Sequence, residues 1–502
     1  MTHAINEPIY DATPRPADGL RCLIVGAGEA GQTIARDLGR TPSFGLVPVG
    51  FLDDDPAKRD ATFSGLPVVG GTDEFVHAGE ELAVDVVVVA IPSLPAREIR
   101  RLGAEAAAVG ASVRYLPSFV AAIERDARIS DLRRLRVDRL LGRDEMRVVR
   151  TASRAVVAGK RVLVTGAGGS IGSELCRQIR AFGPAALYLL DHDESNLHRL
   201  QLQISGEALL DSDELIIADI RDRNRIFQLF RDLRPEVVFH AAAHKHLPLL
   251  ERHPCEGVKS NVLGTMHLAE AAVATRVERF ILISTDKAAD PTSVLGATKR
   301  LAELVVGSQA GGPTRFASVR FGNVLGSRGS FLTVLAEQVE NGEPITVTHP
   351  EVTRFFMTVE EAVGLVIEAG GMAESGEIFV LDMGKPVRIV DLVRNYAAQL
   401  NLDESDFTIR YTGLRPGEKL HEALFSVNEE RTPTTHPKVW ATSTDQHTGE
   451  SFWRLLEELL AVTATNQPDQ VRLYLSKLIP EFAPAQGDDL VDALAAPYPD
   501  GF

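Results

Sequence analysis

Cysteine is scarce in this chain, which has 3 cysteines among 502 residues. Cys22, Cys176 and Cys255 lie far apart in the sequence, whereas a disulfide framework or a zinc site would need more cysteines at closer spacing. The spacing therefore predicts reduced, packed thiols, as in a cytosolic protein, and no bound metal.

Long apolar runs are also missing. The strongest one, from Val84 to Ile91 with Asp85 inside it, is less than half of the roughly 20 residues that span a bilayer. Residues 1–20 lack the basic, apolar and small-residue pattern of a signal peptide. We therefore expect no membrane span and a cytoplasmic location.

Positive charge is in short supply, because 53 Lys and Arg residues face 69 Asp and Glu residues, which gives a formal net charge of −16. General nucleic-acid binding needs a surplus of clustered Lys and Arg, so we expect no nucleic-acid partner. The hydrophobic content of 44% and charged content of 24% are those of a globular protein. A chain of this length predicts two or three domains.

The first patterned segment follows residues 1–19, a proline-containing stretch that predicts a flexible arm. An apolar strand then leads into the motif Gly26-x-Gly28-x-x-Gly31 and a helix, and further apolar strands follow, which predicts a doubly wound Rossmann-like domain over residues 20–125. The motif alone fits either a nucleotide or sugar-nucleotide site or a fold that kept its turn without a ligand. The acids at 53–55 could hold a ribose or be solvated turn residues.

Two further segments flank the longest patterned region, which we assign to residues 159–445. Residues 126–158 alternate arginines with Leu and Val, which predicts an amphipathic connector rather than a surface for nucleic acid or lipid. Residues 446–502 predict one or two amphipathic helices and then a disordered tail.

A second strand, glycine loop and helix begins at Lys160. Its pattern Gly166-x-x-Gly169-x-x-Gly172 is the short-chain dehydrogenase form of the dinucleotide loop, and Asp191 ends the next strand about 20 residues on, where the adenosine ribose would lie. A carboxylate there repels a 2′-phosphate, so the sequence favours NAD, although His192 is close by. The predicted cofactor-binding residues are Gly166, Gly169, Ser170, Ile171, Gly172, Asp191, Asp219, Ile220, Ala241, Ala242, Asn261 and Lys299.

The predicted catalytic stretch lies where this second fold should place its chemistry, with Ser284-Thr285-Asp286-Lys287 at a strand end and Lys299 in the following helix. The short-chain superfamily normally has Tyr-x-x-x-Lys here, but Leu295 occupies the tyrosine position. The site is therefore either inactive or built from other groups.

Several motifs together resemble the polysaccharide-biosynthesis family of nucleoside-diphosphate-sugar 4,6-dehydratases, which are extended short-chain dehydrogenase/reductases. The resemblance covers roughly residues 20–440, including the first Rossmann-like domain. The motifs begin at Val164, His240, Ser284, Gly296, Arg354 and Leu414. The best-known members act on UDP-N-acetylglucosamine and often have methionine at the tyrosine position, so Leu295 is a further apolar variant.

The resemblance implies an α/β protein of two Rossmann-like domains with parallel sheets, the second one carrying a small C-terminal substrate lobe. It implies an NAD-dependent dehydratase that oxidises carbon 4 of a UDP-hexosamine, eliminates water across carbons 5 and 6 and returns hydride to carbon 6. Homo-oligomers are the default for short-chain folds, which commonly pair through long helices.

Roles for the site residues follow from that reaction. Thr285 would take the proton of the 4-hydroxyl, Asp286 would protonate the departing 6-hydroxyl, and Lys287 would be the base at carbon 5. Lys299 would hold the nicotinamide ribose, and its proximity is expected to lower the pKa of Lys287. The predicted substrate-binding residues, each of which could instead only stabilise the lobe, are Lys245, His246, Asn323, Arg354 and Arg415.

Two other functions remain open. A nucleotide-sugar 4-epimerase would share the oxidation at carbon 4 without the elimination, and it would not need the acid Asp286. A catalytically silent sugar-nucleotide sensor or scaffold would explain Leu295 and the additional N-terminal fold.

Overall fold

The computed structural model describes residues 20–40, 46–59, 61–91, 101–102, 105–106, 109, 111–115, 151–205, 210–327, 329–374, 376–399, 402, 406–443 and 449–482. These residues divide into two compact units, one with the strands up to residue 115 and one with the strands from residue 161. The predicted arm, most of the predicted connector and the predicted tail lie outside the described residues, so the proposed domain boundaries stay predictions.

A sheet of six described strands, in the order β3-β4-β2-β1-β5-β6, forms the first unit. Its neighbouring strands are parallel except for the short antiparallel pair β3 and β4. Apolar side chains cover both faces of β1, which is why its residues from Cys22 to Val25 are fully buried. The strands are β1 Leu20–Val25, β2 Leu46–Leu52, β3 Thr62–Phe63, β4 Leu66–Gly70, β5 Val86–Val89 and β6 Ser112–Tyr115.

A larger sheet forms the second unit, with its described strands in the order β20-β21-β17-β12-β11-β10-β7-β8-β9. The seven strands from β17 to β9 are parallel, and β21 and β20 extend the edge in antiparallel fashion. Three two-stranded ladders, β13 with β16, β14 with β19 and β15 with β18, build the smaller lobe. The strands are β7 Arg161–Thr165, β8 Ala186–Asp191, β9 Leu215–Ile217, β10 Val237–His240, β11 Arg279–Ile283, β12 Arg315–Arg320, β13 Asn323–Leu325, β14 Ile345–Val347, β15 Thr353–Arg354, β16 Phe356–Thr358, β17 Glu377–Leu381, β18 Val387–Arg388, β19 Ile409–Tyr411, β20 Thr432–Pro433 and β21 Val439–Thr442.

Helices alternate with the parallel strands along the chain, as the crossover between neighbouring parallel strands requires. The predicted α/β class with two Rossmann-like parallel sheets and a smaller lobe is confirmed. No helix within the described ranges combines the length and the apolar character needed to cross a bilayer. The α-helices are Glu29–Arg40, Phe75–Glu81, Thr151–Val157, Ser170–Ala181, Glu194–Ser205, Arg223–Leu233, Leu247–Arg252, Pro254–Gly257, Gly264–Thr275, Val294–Gly307, Phe331–Glu340, Val359–Met372, Ile389–Gln399, Glu450–Ala464 and Pro468–Leu478.

The two predicted C-terminal helices, Glu450–Ala464 and Pro468–Leu478, form a hairpin that packs on the helix Val294–Gly307. Phe452, Leu456, Leu459, Val471 and Leu475 share one apolar cluster with Leu295, Leu301 and Val305. Ala302 and Val306 pack into the sheet core on the other side, so nearly every residue of Val294–Gly307 is buried. The homo-oligomer stays a prediction, but this helix is covered by its own chain and is not available for pairing.

Candidate active site

The glycine loop between β7 and the helix Ser170–Ala181 packs closely against the protein's own backbone. Gly166 has φ +67°, and a Cβ atom there would lie 2.6 Å from the backbone of Ala242. A Cβ atom on Gly172 would lie 2.0 Å from the carbonyl oxygen of Gly166. Only glycine fits these positions, so the loop keeps the compact turn that brings a helix N-terminus to a phosphate.

Asp191, at the end of β8, contacts this loop directly. The Gly168 N–H donates to Asp191 Oδ2 at 2.9 Å, and the Asp193 N–H donates to Oδ1 at 3.1 Å. A Cβ atom on Gly168 would lie 3.1 Å from the same carboxylate. The structure thus brings the predicted ribose-binding acid to the edge of the glycine loop.

Asp219 and Ile220 lie one strand further along the same edge. The Arg221 guanidinium lies 2.6 Å from Asp219 Oδ2, and its hydrogen bonds lower the pKa of that carboxyl. The side chain of Ile220 is buried, and a Cβ atom on Gly264 would lie 2.5 Å from its Cδ1. Ile220 is therefore packed against the following helix, while Asp219 remains partly exposed.

Asn261, in the π-helical turn Val258–Leu263, makes its polar contacts within the protein. Its Oδ1 accepts the N–H of His244 at 2.9 Å, and its Nδ2 donates to Thr298 Oγ1 at 3.1 Å. The side chain is buried. In this arrangement Asn261 fixes the loop after β10 to the helix that carries Lys299.

Thr285, Asp286 and Lys287 form a hydrogen-bonded group where β11 ends. Thr285 Oγ1 donates to Asp286 Oδ1 at 2.9 Å, and Lys287 Nζ donates to the same oxygen at 2.9 Å. Thr285 also caps the short 3-10 turn Asp286–Ala288. A hydroxyl, a carboxylate and an amine are therefore connected through one oxygen atom, which suits successive proton transfers.

The environment of Lys287 differs from the expected one. Burial alone would lower its pKa, but the carboxylates of Asp286 and Glu422 outweigh burial and raise the pKa. Glu422 Oε1 lies 3.8 Å from Lys287 Nζ. The expectation that a nearby Lys299 would lower the pKa of Lys287 is wrong, because two acids face this amine.

Glu422 was absent from the predicted site. Burial raises the pKa of its carboxyl, and its Oε2 is a buried oxygen without a hydrogen-bond partner among the described residues. Asp286 Oδ2 has the same property. Two desolvated carboxyl groups with an open oxygen each therefore accompany one lysine, a pattern typical of sites that move protons.

Lys299 lies in the helix Val294–Gly307, and its Nζ donates to the carbonyl oxygen of Ile283 at 2.6 Å. Burial lowers the pKa of Lys299 to about 8, although Glu303 acts in the opposite direction. The lysine therefore lies beneath the end of β11, one residue before the catalytic stretch begins.

His240 supports this region from β10. Its Nδ1 and Nε2 lie 2.7 Å from Thr165 Oγ1 and 2.9 Å from Thr265 Oγ1, and burial together with the Lys299 charge lowers the pKa of His240 to about 3. The imidazole is therefore a neutral bridge between β7 and the helix Gly264–Thr275.

This histidine is expected to weaken the fold in acid. The unfolded imidazole takes up a proton below about pH 6.5, whereas the folded one stays neutral down to about pH 3. The unfolded state thus binds more protons in that window, so stability falls as pH falls from 6.5 toward 3. His240→Gln should make the unfolding free energy decrease less steeply in that range, measured by urea unfolding. The same change at the exposed His77 is the control, and an equal slope for both variants would contradict the assignment.

The predicted substrate residues of the smaller lobe meet at Glu418. Arg354 donates to Glu418 Oε1 at 2.7 Å, and the N–H of Arg415 donates to Oε2 at 3.2 Å. The Arg354 side chain is nearly buried, whereas Arg415 is exposed. Asn323 does not contact Glu418 in this way but accepts from Lys287, with its Oδ1 3.3 Å from Lys287 Nζ. Asn323 therefore adjoins the predicted catalytic stretch directly.

Lys245 and His246 lie on the exposed loop that follows β10. A Cβ atom on Gly329 would lie 3.1 Å from the His246 ring, so two loops approach each other there. Burial and the Lys245 charge lower the pKa of His246. Their predicted contact with substrate stays a prediction.

Glu418 and Glu422 are two acids of the site that were not among the predicted functional residues. Both follow Arg415 closely in the sequence, but their location depends on a bridge between Thr353 and His421. In the sequence, Glu418 lies within the Leu414–Lys419 motif and Glu422 lies three residues after it.

The site fits a dinucleotide of the NAD type. The glycines let the loop pack tightly against the backbone of Gly166 and Ala242, and the Asp191 carboxylate accepts the N–H of Gly168 in the same loop. Lys299 Nζ donates to the carbonyl oxygen of Ile283, the last residue of β11. These residues present a backbone cradle, an acid and a cation on one sheet edge, as dinucleotide binding at such an edge requires.

Two parts of the chain match known families. Residues 162–444 match the family described as polysaccharide biosynthesis protein. Residues 14–117 match a family described as CoA-binding domain. The resemblance read from the motifs is confirmed.

Three curated relatives illustrate the range of similarity. A probable polysaccharide biosynthesis protein EpsC of Bacillus subtilis is 43% identical over 84% of this chain and 70% of its own length. A UDP-glucose 4-epimerase of Rickettsia rickettsii is 31% identical over 54% of this chain and 79% of its own length. A UDP-N-acetylglucosamine 4,6-dehydratase (inverting) of Campylobacter jejuni is 30% identical over 54% of this chain and 78% of its own length.

A solved structure, that of Pen from Bacillus thuringiensis, is 32% identical to this chain with a TM-score of 0.53. It covers 58% of this chain and 90% of its own. More than half of this chain therefore matches a fold that is known from crystallography.

Proposed function

The chain belongs to the polysaccharide biosynthesis protein family, and from that premise we propose that it is an NAD-dependent nucleotide-sugar 4,6-dehydratase. The proposed substrate is UDP-N-acetylglucosamine or a close UDP-hexosamine, and the proposed product is a 4-keto-6-deoxy sugar. The relative named as a UDP-N-acetylglucosamine 4,6-dehydratase supports this choice of substrate and reaction.

One observation carries the proposal: Asp286 Oδ1 accepts hydrogen bonds from both Thr285 Oγ1 and Lys287 Nζ, each at 2.9 Å. A dehydration across carbons 5 and 6 needs one group that delivers a proton to the leaving oxygen and another that takes a proton from carbon 5. Asp286 and Lys287 are a carboxyl and an amine in direct contact, so they can fill these two roles.

The hydrogen bond from Thr285 to Asp286 gives a path for the first proton. When the 4-hydroxyl is oxidised, its O–H bond breaks and the proton passes to Thr285 Oγ1, while the Thr285 proton passes to Asp286 Oδ1. Asp286 then holds the proton that the departing 6-hydroxyl needs. The tyrosine of the wider superfamily is unnecessary, which accounts for Leu295 at that position.

The second proton moves through Lys287. The neutral amine removes the proton from carbon 5, Asp286 protonates the 6-hydroxyl, and water leaves. Lys287 then returns a proton to carbon 5, so Thr285, Asp286 and Lys287 each end the cycle in the protonation state in which they began. Bound NAD would supply the acceptor and donor of the hydride that leaves carbon 4 and returns to carbon 6.

The remaining site residues would bind the two nucleotides. The glycine loop with Asp191 and Lys299 would hold the cofactor, with Asp219, Ile220, Ala241 and Ala242 along the same edge. Arg354, Arg415 and Asn323 would meet the substrate diphosphate or sugar, since guanidinium groups pair well with phosphate oxygens. Lys245 and His246 would border the cleft.

The expected result of turnover is a loss of water. The protein incubated with UDP-N-acetylglucosamine and NAD in heavy water should give a 4-keto-6-deoxy product with deuterium at carbon 5, because Lys287 exchanges its proton with solvent. Mass spectrometry of the product and its fragments measures both changes. The absence of water loss across a panel of nucleotide sugars would contradict the proposal.

The second candidate is a 4-epimerase, which the relative named as a UDP-glucose 4-epimerase favours. An epimerase would convert the substrate to its 4-epimer without any change of mass and without deuterium at carbon 5. The same incubation therefore separates the two functions.

A further inference from the structure

The proposed dehydration leaves one requirement unmet, which is the origin of the neutral lysine. Lys287 is held in its charged form, because the carboxylates of Asp286 and Glu422 outweigh burial and raise its pKa. An ammonium ion cannot take a proton from carbon 5. Some group must remove a proton from Lys287 during the reaction.

We propose that Glu422 takes this proton, an inference that rests on the proposed function. The proton would leave Lys287 Nζ and bind Glu422 Oε1, which lies 3.8 Å away. A shift of about 1 Å brings such a pair to hydrogen-bond distance. The Nζ–H bond breaks and an Oε1–H bond forms, and the transfer reverses after product formation, so Glu422 ends the cycle unchanged.

Burial qualifies Glu422 for this role. Its side chain is 2% exposed, and its Oε2 has no hydrogen-bond partner among the described residues. A carboxylate in such a place is poorly solvated, so the neutral acid is favoured. The Lys287 side chain, in contrast, is 19% exposed, and Glu422 faces it at 3.8 Å. Glu422 is therefore a positioning residue that acts through Lys287.

The groups around Glu422 act on its pKa in opposite directions. Burial raises its pKa most, Lys287 lowers it, Asp286 raises it, and Arg354 and Lys419 lower it. The Lys419 Nζ lies 4.0 Å from Oε2. Burial, the largest of these effects, favours the protonated form of the carboxyl, and the three cations favour the ionised form.

The oxidation at carbon 4 would also determine when the proton moves from Lys287 to Glu422. Once Asp286 holds the proton from the 4-hydroxyl, Lys287 loses its nearest counter-ion, which is hydrogen-bonded to it at 2.9 Å. The loss of that charge lowers the pKa of Lys287, because the hydrogen-bonded carboxylate favoured the charged amine. Lys287 would therefore become a base only after carbon 4 has been oxidised, which protects carbon 5 of unoxidised substrate.

The test compares Glu422→Gln, which keeps the shape but cannot take the proton, with Glu422→Asp, which keeps a carboxyl. Glu251→Gln is the matched control, because Glu251 is another buried acid with a raised pKa and it caps the helix at Val294 instead of facing Lys287. Thermal unfolding establishes that each variant is folded.

The first measurement needs no substrate and no cofactor. Lysine labelled with carbon-13 at Cε reports the titration of Lys287 by NMR, and Lys287→Met assigns its signal. Glu422→Gln should lower the pKa of Lys287 and Glu251→Gln should leave it unchanged. An unchanged Lys287 titration in Glu422→Gln would overturn the proposal, whatever reaction the protein catalyses.

The second measurement is the rate of water loss from UDP-N-acetylglucosamine against pH. Glu422→Gln should lower kcat by about 10- to 100-fold with little change in KM, and its residual rate should rise with pH as solvent takes over the proton. Glu422→Asp should recover part of kcat. A kcat within about twofold of the wild type, or equal losses in both variants with a raised KM, would overturn the relay. Wild-type protein that releases no water would instead refute the proposed function, while the NMR titration still decides the coupling.

Discussion

Replacing Asp286 with asparagine is expected to lower kcat for water loss by at least about 100-fold, the usual contribution of a general acid. The amide cannot accept the proton that Thr285 delivers, and it cannot protonate the 6-hydroxyl. Binding of the UDP-sugar should change little, since Asp286 is fully buried and contacts Thr285 and Lys287 rather than the diphosphate residues. The rate of water loss by mass spectrometry and the substrate affinity by calorimetry measure the two effects.

Asp222→Asn is the matched control, because Asp222 caps the helix Arg223–Leu233 by accepting the Arg225 N–H at 3.0 Å, and asparagine caps equally well. This variant should keep the wild-type rate. An Asp286→Asn protein with nearly full activity would refute the acid role, and retained interconversion of 4-epimers would identify an epimerase.

Replacing Arg320 with methionine is expected to have the largest effect on stability, a loss of about 3–5 kcal/mol of unfolding free energy. The Arg320 guanidinium is fully buried and lies 2.6 Å from both Glu303 and Glu429. Its removal leaves two buried carboxylates without their principal counter-ion. Urea unfolding followed by the fluorescence of Trp440 and Trp453, both of which lie in the second unit, measures the change.

Arg388→Met is the control for this prediction, because Arg388 is an exposed arginine that pairs with Asp391 at 3.0 Å. It should have a much smaller effect, since solvent screens the pair. Adding Glu303→Gln to Arg320→Met should recover part of the lost stability. No recovery, or equal losses for the two arginine variants, would contradict the assignment.

The ion pair of Arg320 also supports the catalytic stretch. Glu303 Oε1 accepts a hydrogen bond from Ser284 Oγ at 2.6 Å, and Ser284 immediately precedes Thr285. On the other side, Glu429 connects the pair to the segment after Glu422. The same buried charges therefore hold β11, β12 and the segment that carries Glu422.

The parts of the site that depend on local sequence could be predicted. The glycine loop, Asp191 after β8 and Thr285-Asp286-Lys287 after β11 follow from strand ends in a parallel sheet, where chain order alone places them on one edge. The fold class and the family resemblance were confirmed for the same reason. The assigned roles of these residues stay predictions until the variants are measured.

The parts that depend on distant pairing could not be predicted. Glu422 reaches Lys287 because Thr353 bridges His421, and no sequence period encodes that register. The predicted direction of the Lys287 pKa shift was wrong for this reason, because the pKa is raised. Lys299 is close to Lys287 in the sequence and was considered for that reason. Glu422 is 135 positions away, the difference between 422 and 287, and only the fold brings it to Lys287.

Leu295 is an apolar residue whose contacts with distant segments could not be predicted either. The sequence showed that it cannot replace a catalytic tyrosine, but not that it is buried in the cluster of Phe452, Leu456 and Val471. A tyrosine hydroxyl added at that position would enter an apolar cluster. The apolar residue therefore has a packing role that is independent of catalysis.

The hairpin of Glu450–Ala464 and Pro468–Leu478 over the helix Val294–Gly307 has a consequence for how the protein is made. The helix that carries Lys299 leaves the ribosome well before the segment that covers it, so its apolar side stays open while more than a hundred further residues are translated. Contacts of such long sequence separation form late and slow the folding of a domain. During that interval the emerging chain exposes Leu301 and Val305 to other chains, so its synthesis is expected to depend on chaperones that shield apolar surface until translation ends.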